Sequence, residues 1–183
     1  MTQPGRLPPR TGPRPRTTPT NPHTQIDQQP DDLTIRGRLA RRLFSLTGVQ
    51  ERPSLISVPG ARALVVADPG GAPADAFMVG REFAHLHPVP DLSLHVALPP
   101  ELARAAVETG WGEVHPVARR GLIPSNVVML YAPRDDEELE VVAGLVEAAW
   151  RRAARSGAPP AADTQASVGP QGWPGRSHGS FGP

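Results

Sequence analysis

The sequence predicts an α+β fold, a mostly antiparallel β-sheet with two or three helices packed on it, in a single domain between two tails. Three observations predict it. Short apolar runs punctuated by Pro and Gly stand beside one another, as antiparallel neighbours do. Other stretches carry the 3.6-residue period of amphipathic helices. Proline is concentrated at the two ends, with 13 of 24 in residues 1–32 and 156–183. Those end segments hold too little patterned apolar surface to offset the entropy of ordering them. They are therefore expected as disordered tails, Pro/Arg-rich at 1–32 and Gly/Pro-rich at 156–183. Residues 33–155 are long enough for one hydrophobic core.

The elements follow in order. Asp32 is placed to cap a first helix, in which Ile35, Leu39, Leu43 and Leu46 share a face while Arg36, Arg38, Arg41 and Arg42 form a solvated one. The runs "SLISV" and "RALVVA" read as strands, separated by Pro59-Gly60 and closed by Pro69-Gly70-Gly71. "FMVGREFAHLHP" and "LSLHVAL" read as a hairpin turning at "VPD". Pro99 and Pro100 open a second helix, where a missing N–H does no harm, and Gly110 closes it. "NVVMLYAP" is a strand. In the last helix Asp135 caps, Glu138 sits three residues on, and Leu139, Val142, Val146, Ala149 and Trp150 form one face. Arg151, Arg152 and Arg155 complement the helix dipole at its far end.

Composition removes several classes of function. Residues 33–155 carry 14 Arg against 14 acidic side chains, and aromatics make up 4% of the chain. Such a domain lacks the basic face and stacking platform of a nucleic-acid binder. With no cysteine there is no disulfide, thiolate zinc site or Cys nucleophile. With no lysine there is no Schiff-base chemistry. No apolar run approaches the roughly 18 residues of a membrane span, so a soluble cytoplasmic protein is expected.

The informative feature is a histidine constellation. Four of six histidines, His85, His87, His95 and His115, lie within 31 residues. Side chains alternate along a strand, so His85 and His87 share a face. A turn around Pro88 to Asp91 pairs position 85 with 95 and 87 with 93, which gathers His85, His87, Ser93 and His95 on one face of two neighbouring strands. His115 follows in "GWGEVHP"; spacing alone leaves open whether it meets the others. Glu82 falls on the opposite strand face from His85 by the same alternation. Arg134 either clamps a substrate anion or pairs with Asp136 or Glu138. Imidazoles at neutral pH serve as bases, hydrogen-bond donors or metal ligands. Three readings follow: an enzyme acting on an acidic small molecule, a binding module without catalysis, and a metal-dependent enzyme in which His85, His87 and His95 form a facial set for divalent iron or zinc. No cofactor is expected, because no carboxylate is clearly placed to complete a ligand set; a divalent metal remains the alternative.

At "REFAHLHPVPDLSLHVALPP", "GWGEVHP" and "YAPRDDEELEVVAGLVEAAW" the sequence resembles the luciferase domain of bioluminescent fungi and its non-luminous relatives, over about residues 78–152. The resemblance implies an oxygenase-like enzyme whose partners are an enolic or phenolic small molecule and dioxygen; the fungal enzymes use a hydroxylated pyrone. It carries His85, His87, Asp91, His95 and His115 over as catalytic positions, and Trp111 and Arg134, with Ser93 from the hairpin register, as substrate-binding ones. Glu113 stands where the fungal pattern has Gln.

Overall fold

The computed structural model describes residues 7–154. The expected tail at 156–183, with Trp173 and His178, lies outside the described residues, as do residues 1–6. Six strands form one sheet in which every neighbouring pair is antiparallel, in the order β1-β2-β3-β4-β6-β5. They are β1 (Val49–Pro53), β2 (Arg62–Val66), β3 (Glu82–Leu86), β4 (Leu94–Ala97), β5 (Gly112–Val114) and β6 (Val127–Leu130). The helices are α1 (Thr34–Phe44), α2 (Pro100–Glu108), the one-turn α3 (Pro116–Arg119) and α4 (Asp136–Ala153). The α+β expectation holds.

Helix α4 lies over β3 and β4, with α1 beside it, and α2 covers β5 and β6. Leu139, Val142, Val146 and Ala149 of α4 meet Ala84 and Leu86 of β3, Leu94 and Val96 of β4 and Val128 and Leu130 of β6 in one apolar core. Asp135 caps α4 as the sequence implies, whereas the N-cap of α1 is Leu33 and Asp32 acts from one residue before it. The Asp135 carboxylate accepts the Glu138 N–H at 2.8 Å, and Asp32 accepts the Thr34 N–H at 2.8 Å at the start of α1. Gly110 takes φ +86° directly after α2, a left-handed conformation that side chains resist. Gly112 is required for a different reason: a Cβ there would stand 2.2 Å from the Met129 carbonyl oxygen.

Two sequence expectations are corrected. "SLISV" is a loop with Leu55 exposed, and the strand lies earlier, at the half-polar "VQERP" of β1. An edge strand with one solvated face carries little apolar signal, whereas an apolar loop imitates one. The second correction is larger. Residues 7–32, expected as a disordered tail, are packed against the domain, with Arg10, His23 and Gln25 buried.

Hydrogen bonds fix that segment. The Arg10 N–H donates to the Thr109 carbonyl at 2.8 Å and the Trp111 indole N–H to the Pro8 carbonyl at 2.6 Å. Gln25 Oε1 accepts the Ala132 N–H, and Gln29 Oε1 accepts the Leu92 N–H. A local hairpin pairs Thr17 with Gln25. Polar side chains satisfying buried backbone groups of the sheet replace the apolar periodicity on which the sequence reading relied. The central strands are thereby buried on both faces, helices on one side and this segment on the other.

Candidate functional site

The register carries the site. His85 lies opposite His95, His95 opposite Met129, and Met129 opposite Glu113, so one row of side chains crosses four strands on the face away from the helices. His87 stands directly after β3 on the same side, and its N–H donates to the Ser93 carbonyl at 3.1 Å, closing the hairpin. The 85–95 pairing read from the sequence is the pairing observed.

Glu82 is where alternation failed. Register shifts between β2 and β3: Leu64 opposes Ala84, whereas Val65 opposes Glu82, leaving Phe83 as an extra residue. Such a bulge turns Phe83 and Ala84 both into the core and returns Glu82 to the side of His85. There Glu82 accepts hydrogen bonds from His85 Nδ1 at 2.7 Å, the Ser54 hydroxyl at 2.7 Å and the Leu55 N–H at 3.1 Å.

Five imidazoles meet on this face. His85 Nε2 is 2.9 Å and His87 Nε2 3.1 Å from His95 Nδ1. On the other side of that ring, His95 Nε2 is 3.2 Å from His23 Nδ1. The His115 ring stands edge-on to His95, with centroids 4.4 Å apart, which answers whether it reaches the others. Its Nδ1 accepts the Val117 N–H at 3.1 Å at the start of α3, so the neutral ring carries its proton on Nε2.

Three of the rings are each tied to a carboxylate. His85 Nδ1 donates to Glu82, His87 Nδ1 to Asp91 at 2.6 Å, and His23 Nε2 to Glu113 at 2.6 Å. Ser93 Oγ lies 3.2 Å from His87 Nδ1, and the Ser93 N–H donates to Asp91 at 2.9 Å. Glu113 also accepts from the hydroxyls of Thr17 and Tyr131.

Electrostatics follow from burial. His95 is held well below its ordinary pKa, first by desolvation and then by the neighbouring imidazoles. Burial lowers His85 too, against the hydrogen bond it donates to Glu82, and it brings His115 down to about 4. Burial works most strongly on Asp91 and raises it, but His87 and the hydrogen bonds from Ser93 together outweigh it and the net shift is downward. Glu113 is likewise lowered, its burial outweighed by His23 and Thr17. At neutral pH His85, His95 and His115 are therefore neutral, and Asp91 and Glu113 are ionised.

A cavity of about 210 Å³ opens beside the cluster. His85, His95 and His115 form one side; Met78, Val117, Ile123 and Val127 form an apolar one, with Ile56 and Asn21 completing it. An apolar cavity of roughly 150 Å³ already holds a benzene ring, so this one suits a single substituted ring. A larger cleft of about 350 Å³ along α2 contains no histidine.

The structure thus brings together His85, His87, Asp91, Ser93, His95 and His115. It separates two residues from them. Trp111 packs in the helix-side core, and Arg134 pairs with Glu138 through Nε at 2.9 Å while donating to the Thr11 carbonyl. Neither lines the cavity beside the histidines, and Arg134 makes the Glu138 pairing that was one of its two readings. The sequence reading missed His23 and the carboxylate partners Glu82 and Glu113. His23 sits in a proline-rich stretch without periodicity, so nothing local marked it.

A six-stranded antiparallel sheet with α1, α2 and α4 on one face and a buried, carboxylate-tied histidine cluster beside a ring-sized cavity on the other defines the class: an α+β protein with an imidazole-lined cavity. Comparison with known proteins narrows it. A luciferase-domain model matches residues 80–149. The luciferases of Armillaria gallica and Armillaria ostoyae are each 33% identical over 160 residues, covering 78% of this chain and 59% of their own. The luciferase of Neonothopanus nambi is 43% identical over 70 residues, 37% of this chain and 26% of its own. No solved structure matches. Over residues 80–149 the chain is thus similar to the luciferase-domain family, and the likeness to the Armillaria luciferases reaches further along it. It spans about three-fifths of the length of the Armillaria relatives (59%). An alignment over 78% of the chain extends beyond the 78–152 segment in which the resemblance was first visible.

Proposed function

We propose that this protein is an oxygenase-like enzyme that holds an enolic or phenolic small molecule in the histidine-lined cavity and lets it react with dioxygen. The observation that carries this reading is the ring-sized cavity with neutral imidazoles of His85, His95 and His115 on one side and apolar side chains on the other. The fungal relatives, all named luciferases, support an oxidative reading. An apolar wall takes the flat ring, and His115 Nε2–H donates to the oxygen on which enolate charge develops. His85, His87 and His95 accept the positive charge that such an anion needs beside it. Glu82, Asp91 and Ser93 act through His85 and His87 as positioning residues.

Loss of the hydroxyl proton gives an enolate, whose carbon supplies both electrons of a new C–O bond. Dioxygen is reduced to a peroxide on that carbon, and the proton ends on the terminal peroxide oxygen. Oxygen uptake by the purified chain with hydroxypyrones and catechols tests the reading. The expected result is one dioxygen consumed per substrate, with rates down about 10²-fold or more in His115→Ala. Binding of these compounds without oxygen uptake would make the protein a non-catalytic ligand-binding module, and absence of both would overturn the reading altogether.

A further inference from the structure

We infer that His85, His87 and His95 form a binding site for one divalent first-row metal ion, ligated through His85 Nε2, His87 Nε2 and His95 Nδ1. The inference goes beyond the oxygenase reading and does not depend on it; with an ion bound, the ion supplies the positive charge that the three imidazoles otherwise take up. It rests on a count of protons. Glu82, which accepts from Ser54 and Leu55 as well, holds the His85 proton on Nδ1, and Asp91 holds the His87 proton on Nδ1. Both Nε2 atoms are then lone pairs. Glu113 holds the His23 proton on Nε2, so His23 Nδ1 is a lone pair facing His95 Nε2. The single proton of a neutral His95 then faces three bare nitrogens: on Nδ1 it leaves His95 Nε2 and His23 Nδ1 unpaired against each other, and on Nε2 it satisfies His23. An ion on the other side selects the second arrangement.

That leaves His95 Nδ1 as a third lone pair, 2.9 and 3.1 Å from the other two. Three buried lone pairs converging without a proton repel one another, and a cation between them satisfies all three. One added proton satisfies only one pair.

The spacing agrees. Nitrogens bound at about 2.1 Å to a common ion stand about 3.0 Å apart at a right angle and about 3.4 Å apart at the tetrahedral angle. The two distances to His95 Nδ1 stand near the right-angle value, and all three ligand atoms lie within 4.8 Å of one another, as a set on a common ion such as Fe(II) or Zn(II) requires. The paired carboxylates are the outer partners that metal-bound imidazoles use to fix their tautomer. A rival trio, His23, His95 and His115, is also close enough to hold an ion. It is excluded because the Val117 N–H occupies His115 Nδ1 and puts the proton on the nitrogen that would have to ligate.

The test uses the full-length chain purified without a metal-affinity tag. Elemental analysis, followed by stripping with a chelator and anaerobic reloading with Fe(II) or with Co(II) as a spectroscopic probe, is expected to give one ion per chain. Reloading raises the thermal midpoint, because the ion binds the folded form. His87→Ala and His85→Gln lose the ion, whereas His115→Ala keeps it. Asp91→Asn binds it about 10- to 100-fold more weakly. If a histidine variant fails to fold, stripping and reloading of the wild-type chain still decides. Folded wild-type protein that takes up no stoichiometric Fe(II), Co(II) or Zn(II) overturns the inference, as does loss of the ion in His115→Ala. Ion stoichiometry is read without substrate, so failure of the oxygen-uptake assay leaves it untouched.

Discussion

His23→Ala is the most direct perturbation of the interplay between the N-terminal segment and the site. The side chain is fully buried and joins two groups of the sheet face, Glu113 at 2.6 Å and His95 at 3.2 Å. Removing it deletes a hydrogen bond to a carboxylate, for which about 1.5–3 kcal/mol is typical, and leaves a void where the ring had packed. Glu113 keeps its bonds from Thr17 and Tyr131, which limits the loss. A net destabilisation of about 2–4 kcal/mol is expected. Urea unfolding followed by circular dichroism measures it, with His23→Gln as the partner variant, since its amide can still donate to Glu113. The midpoint should fall clearly for Ala and less for Gln. In native-state proteolysis, cleavage within residues 7–32 should be slow in the wild-type chain and fast in His23→Ala. A loss below about 0.5 kcal/mol, with wild-type cleavage of that segment as fast as in the variant, would refute the packing of residues 7–32 and the reasoning built on it.

Gly112→Ala places a methyl group against the Met129 carbonyl, so the β5–β6 pair must part. The expected cost is about 3 kcal/mol or more, read from thermal melts. Tyr131 is the chain's single tyrosine, and its pKa is pushed up to about 12 by burial and then by the Glu113 carboxylate, against Arg14 and Arg10. A raised pKa means the folded form keeps its proton where the unfolded form has lost it. Stability should therefore be full below pH 10 and decline between pH 10 and 12; phenolate absorbance follows the titration, and Tyr131→Phe removes this dependence. Trp150 is only half-buried, with its indole N–H donating to the Thr47 carbonyl at 3.1 Å. Trp150→Ala should cost about 2 kcal/mol in denaturant unfolding, less than a fully buried tryptophan would.

What the sequence determined by itself was whatever rests on neighbours along the chain. Helix α4 was legible because Asp135, Glu138 and a 3.6-residue apolar period all lie within one stretch, and the β3–β4 hairpin because a short turn leaves one register that keeps both faces consistent. From that register the meeting of His85, His87, Ser93 and His95 followed.

What only the tertiary structure decided depends on partners distant in sequence or on a local break of periodicity. One bulged residue at Phe83 turned Glu82 to the side of His85, and alternation cannot foresee a bulge formed against a separate strand. The long-range meetings are of the same kind: His23 with Glu113, 90 residues apart, and His23 with His95, 72 apart. The N-terminal segment is ordered by hydrogen bonds to buried backbone and carboxylate groups of the sheet. Such bonds are directional and specific once the sheet exists, yet they leave no hydrophobic pattern in the segment that makes them.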